Sequence, residues 1–125
     1  PIQSNEPMLE LYSENAAGLV GRENLYRLSH RTGSTDMGDI SQLMPVIHPY
    51  VEAASGNGHG IDYVIEDYDL GVLTGAKAMA MTVVDLLFHG SIRANKIVAD
   101  YKAPMTKSAY LSLLRGMITE KTYTE

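Results

Sequence analysis

Ala76-Lys77-Ala78-Met79-Ala80-Met81-Thr82-Val83-Val84-Asp85-Leu86-Leu87-Phe88 is the stretch on which the fold turns. Only Lys77, Thr82 and Asp85 interrupt its apolar character. A helix that is apolar nearly all round is one buried on most sides. The helix is predicted to start at Tyr68 or Asp69, to run to His89 and to stop at Gly90. Its apolar tract is too short to cross a bilayer, so a large protein surface has to cover it.

The flanking sequence offers little of that surface. Upstream, Met8, Leu9, Leu11, Tyr12, Ala16, Leu19 and Val20 recur with a period near 3.6 and predict an amphipathic helix that ends at Gly21. Residues 25–28 read as a short strand. Residues 46–51 read as another, restricted by Pro49 to an edge or a bulge. Asp39 is expected to cap a short helix through residues 41–44, ended by Pro45. Downstream, Ser91 is expected to cap a helix over 92–101, and Thr106 one over 107–117. The class is α/β, helix-rich with a few short strands. So few strands beside so apolar a helix imply packing against another copy or against further chain.

At 125 residues the chain fits one domain. Residues 1–7 read as an extended arrival segment, 8–117 as the folded body and 118–125 as a frayed tail. A net charge of −5 and a pI near 5.3 argue against nucleic acid, which requires clustered cations. No apolar leader opens the sequence, and a cytoplasmic setting is the expectation. Cysteine is absent, so a metal would have to be held by His, Asp or Glu.

Two segments have a composition suited to chemistry. Gly33-Ser34-Thr35-Asp36-Met37-Gly38-Asp39 combines glycines with four oxygen-bearing side chains. It reads either as turns and a helix cap or as a nest of backbone N–H groups for an anion such as a substrate carboxylate. Ser55-Gly56-Asn57-Gly58-His59-Gly60 surrounds one imidazole with glycines. It reads as a plain surface turn or as an imidazole bared for close approach. The other histidines have structural readings: His30 as a surface residue, His48 as a satisfied interior one, His89 at a helix C-terminus. A catalytic zinc needs about three protein ligands, and no His-Glu-x-x-His or His-x-Asp spacing supplies them.

Gly-Ser-Thr-Asp-Met-Gly-Asp-Ile-Ser (33–41), Met-Pro-Val-Ile-His-Pro-Tyr (44–50), Gly58-His59-Gly60 and Ala-Lys-Ala-Met-Ala-Met-Thr (76–82) together resemble a known family. It is the zinc amidohydrolase and metallopeptidase family of aminoacylase and glutamate carboxypeptidase type, in its p-aminobenzoyl-glutamate hydrolase branch. The resemblance spans most of residues 8–117. It implies the C-terminal portion of an α/β catalytic domain, with residues 1–7 as the exit from a dimerising lid domain.

In that family two metal ions, usually zinc, activate a water that attacks an amide carbonyl, with a glutamate as general base. Manganese or cobalt suits the same donors. The resemblance implies that His59 is the family's last metal ligand and that Ser34, Thr35 and Asp36 border the substrate pocket. It implies no catalytic base here, because the His-x-Asp and Glu-Glu segments have no counterpart in this sequence. The expected function is thus the C-terminal fragment of an amide hydrolase, inactive alone. It would act on an N-acyl amino acid or a p-aminobenzoyl-glutamate-like substrate, either as a homo-oligomer or with the missing N-terminal half. The alternative is a non-catalytic oligomerisation or binding domain derived from such an enzyme.

Overall fold

A computed structural model describes residues 2–28 and 35–122. Helix α1 (Glu6–Val20) starts two residues earlier than the periodicity suggests. Asn5 Oδ1 accepts the Met8 amide at 3.1 Å, and Pro7 sits in the first turn, where its missing N–H costs nothing. Gly21 ends the helix at φ +87°, a conformation a side chain rarely adopts. A 3₁₀ turn (Arg22–Asn24) follows, and Arg27 pairs back with Glu6 at 2.7 Å. That hydrogen-bonded guanidinium holds the Glu6 carboxyl below its ordinary range.

The two predicted strands are not strands: residues 25–28 and 46–51 run without ladder pairing. The second is tied to the start of α1 by the Asn5 amide, which donates to the Val46 carbonyl at 2.8 Å. The strands among the described residues lie elsewhere. β1 (Ala54–Ser55) and β2 (Val64–Ile65) form an antiparallel hairpin. Its base is locked by Glu66 and Asp67 amides, which both reach the Ala53 carbonyl. Ala53 in turn lies against Gly71, where a Cβ would come within 2.9 Å of the Ala53 Cβ.

The long helix opens on a π-helical turn (Asp69–Thr74), for which Asp67 Oδ1 accepts the Leu70 amide at 2.8 Å. It continues as α3 (Gly75–Asp100). The expected stop at Gly90 is real. Phe88 leaves the helical region, and His89, Gly90 and Ser91 all take left-handed φ values before the helix resumes. Ser91 is not the N-cap that was expected. Its left-handed backbone turns the hydroxyl back toward the Leu87 carbonyl, at 3.4 Å. By length and composition alone the Asp69–Asp100 stretch is enough to cross a bilayer, and this break falls inside it.

Helix α4 (Lys107–Met117) is capped as predicted, Thr106 Oγ1 accepting the Ala109 amide at 3.1 Å. The architecture is therefore helix-rich with one short hairpin.

α1 packs on the first half of α3 through a narrow stripe. Ala78, Thr82 and Asp85 recur at i, i+4 and i+7 and so share one face. Ala78 meets Tyr12 and Ala16 in the core, with Leu25 and Ile47 packed beside them. Asn15 donates to Asp85 Oδ2 at 2.8 Å and to Thr82 Oγ1 at 3.3 Å, while the Thr82 hydroxyl donates to the Ala78 carbonyl. Small residues at the crossing let the helices approach, and the polar contacts leave no buried donor of this face unpaired.

Most of the α3 surface has no such cover. Leu87 lies opposite the stripe, with Val83 and Val84 on either side of it, and the three are 58%, 49% and 61% exposed; Phe88, at the break, is 63% exposed. The whole chain shows 9849 Å² to solvent. A compact monomer of 13.7 kDa exposes roughly 6,600 Å². The surplus, roughly 3,000 Å², belongs to the whole chain; in α3, expected to be buried on most sides, the buried residues are Ala78, Thr82 and Ile97.

Candidate functional site

The Gly-Ser-Thr-Asp loop enters α2 (Met37–Ile40), a single helical turn. Its placement corrects the expected cap. Asp36, not Asp39, precedes the helix, and neither carboxylate caps it by a side-chain bond. Thr35 Oγ1 accepts the Met37 amide at 3.3 Å instead. Residues 41–44, expected as helix, form turns after α2. Gly33 and Ser34, the latter a predicted pocket residue, lie outside the described residues, as does His30.

Ser41 is the anchor of this segment. It is fully buried, and its hydroxyl donates to the Gly38 carbonyl at 2.6 Å while accepting the Gln3 amide at 3.2 Å. Its carbonyl accepts the Tyr101 hydroxyl at 2.8 Å, and the next carbonyl, of Gln42, accepts the Met105 amide at 3.1 Å. The loop is thus tied to the end of α3. Tyr110 on α4 closes the other side. Partial burial, and then the Asp39 and Asp36 carboxylates beside it, push its hydroxyl pKa up. Asp36 and Asp39 themselves remain exposed.

His59 stands at the far end of the hairpin, in the loop of residues 56–63. The glycines around it do not make the loop loose. Asn57 donates to Asp62 Oδ2 through its amide side chain at 3.0 Å and its backbone at 3.3 Å, and the Gly60 amide bonds to the Asn57 carbonyl at 2.7 Å. A Cβ at Gly60 would fall 2.3 Å from Asp62 Oδ1, and one at Gly56 (φ +89°) 2.2 Å from the Asp62 carbonyl oxygen. Only glycine fits either place. His59 itself adopts φ +66° and is exposed. A left-handed histidine costs about 1 kcal/mol or more. The loop thus spends conformational energy on presenting this imidazole outward.

No hydrogen bond or ion pair among the described residues joins His59 to Thr35 or Asp36. No group of three or more His, Asp or Glu side chains among them comes together to hold a metal ion. The described residues therefore do not form a zinc site; His59 offers at most one ligand.

Sequence reading missed three features here. Ser41, Tyr101 and Tyr110 meet the loop from distant elements, and no local pattern announces a tertiary hydrogen bond. His48 differs from its reading as a satisfied interior residue: its Nδ1 is buried with no partner, and its ring stacks on Tyr50 at 4.9 Å. A cleft of about 470 Å³ lies between α1 and residues 93–102, and one of about 560 Å³ lies at the helix break beside Phe88 and His89; neither is lined by Thr35, Asp36 or His59.

No family model matches the chain, and no solved structure matches it. Two curated relatives do. The Xaa-Arg dipeptidase of Homo sapiens is 27% identical over 120 residues, covering 89% of this chain and 27% of the relative. The Xaa-Arg dipeptidase of Mus musculus is 32% identical over 96 residues, covering 70% of this chain and 22% of the relative. The chain spans about a quarter of the length of the curated relatives it matches. It is similar along most of its own length to a segment of a dipeptidase, a likeness consistent with the metallopeptidase superfamily and not specific to the p-aminobenzoyl-glutamate hydrolase branch.

Proposed function

We propose that this chain is the C-terminal portion of a metal-dependent amide hydrolase, inactive until the remaining chain of such an enzyme packs against it. The observation that carries the reading is the likeness to Xaa-Arg dipeptidase over 89% of the chain. The substrate is a small amide with a free carboxylate: a dipeptide, an N-acyl amino acid or a p-aminobenzoyl-glutamate-like compound. In this reading His59 contributes one metal ligand from the hairpin tip, zinc being the expected metal. Thr35 and Asp36, with Ser34, line the edge of the substrate pocket. The base and the other ligands come from the companion portion, and no catalytic step is assigned to residues of this chain.

A non-catalytic oligomerisation domain is the competing reading, favoured by the exposed α3 face. The likeness to a segment of a dipeptidase supports the hydrolase reading over it, whereas an obligate homodimer interface of about 2,000 Å² or more suits the same exposed face.

The test is hydrolysis of a dipeptide with C-terminal arginine and of p-aminobenzoyl-glutamate, by this chain alone and by the protein extended with the companion portion. Turnover by the extended protein only is the expected result. An extended, folded, zinc-loaded protein that cleaves neither amide would sink the hydrolase reading.

A further inference from the structure

We infer that Tyr101 is a positioning residue for the pocket-edge loop, acting through Ser41. The inference rests on the hydrolase reading for what the loop borders, and on geometry alone for how the loop is held.

Tyr101 follows the last residue of α3, at the end of the helical segment that resumes after the break at 88–91. Its hydroxyl donates to the Ser41 carbonyl at 2.8 Å, across 60 positions of sequence. Ser41 is fully buried, and its own hydroxyl spans the Gly38 carbonyl and the Gln3 amide. From Ser41 the hydrogen bonds lead back to the loop. The Ser41 amide bonds to Met37, the Ile40 and Asp39 amides to the Asp36 carbonyl, and the Gly38 amide to the Thr35 carbonyl. Thr35 and Asp36 are therefore fixed by a single turn whose far end is held by the Tyr101 phenol together with the Gln3 and Met105 amides. A single turn has too few internal bonds to hold itself in water. The hydroxyl has no other partner among the described residues. Its loss leaves a partly buried carbonyl unpaired, so the effect falls on this loop before it reaches the α1–α3 core.

Tyr101→Phe keeps the ring and removes the bond. In the 125-residue chain, amide hydrogen exchange is read at residues 38–43 and at α1 in both forms. Exchange about five- to tenfold faster at 38–43, with α1 unchanged, is the expected result, the size matching one ordinary hydrogen bond. Unchanged exchange at 38–43, or an equal rise in α1, overturns the positioning role.

In the extended protein, the same variant is expected to raise KM about fivefold or more while kcat moves less. Equal kcat/KM in both forms, in an enzyme that turns over, overturns the link to substrate. An extended protein with no activity contradicts the hydrolase reading instead, and the exchange result still decides whether Tyr101 holds the loop.

Discussion

His59→Ala in the extended enzyme lowers kcat/KM by at least about a hundredfold. Losing a residue that merely orients a metal ligand costs 10- to 100-fold, and losing the ligand itself costs more. The loop geometry makes this a clean substitution. His59 is exposed, carries its backbone at φ +66° and forms no hydrogen bond among the described residues, so its removal disturbs no packing. Thermal stability of the metal-free protein is expected to stay within about 0.5 kcal/mol. Activity assays beside metal content check the result. Full activity in His59→Ala with zinc retained would remove the imidazole from the site and return the hairpin tip to a surface turn.

Leu87→Asp with Val84→Asp gives the second large effect, and its sign depends on what surrounds the chain. Both side chains are more than half exposed here, so the isolated chain is expected to lose little stability and to gain solubility. In the extended protein each apolar side chain contributes about 1.5–3 kcal/mol on burial. A carboxylate in its place adds the cost of an unpaired buried charge. The double variant is therefore expected to abolish assembly with the companion portion. Equilibrium unfolding of both forms, together with co-purification of separately expressed portions, measures it. Undiminished assembly would show that the far face of α3 meets solvent in the complete protein.

The helices were legible because their signals are local. Gly21, Gly90 and Thr106 mark ends that the structure reproduces, and the all-round apolar run from Ala76 to Phe88 announced a helix in need of cover. The strands were not legible. Ala54 and Ser55 have little β-propensity, and the connection at 56–63 is too long for a two-residue hairpin turn, so nothing in the sequence marked the pair. Pro49 and the lack of a partner kept the more β-prone run 46–51 out of a sheet.

The candidate site was legible as composition only. Glycines at 56 and 60 were read as a surface turn or as baring the imidazole, whereas the Asn57–Asp62 clamp makes them the condition of a closed loop. Asp39 was read as a cap because aspartate favours caps, yet Thr35 supplies the side-chain bond. The contacts of Ser41 with Tyr101, and of Asp39 with Tyr110, join elements far apart in sequence, which no periodicity encodes.

Metal content of the purified 125-residue chain, after zinc loading and exhaustive dialysis and beside His59→Ala, tests the central claim most directly. A site that depends on a companion predicts no zinc retained above the level of the variant. Zinc held near one ion per chain, and lost in His59→Ala, would contradict it and show that this chain assembles a metal site by itself.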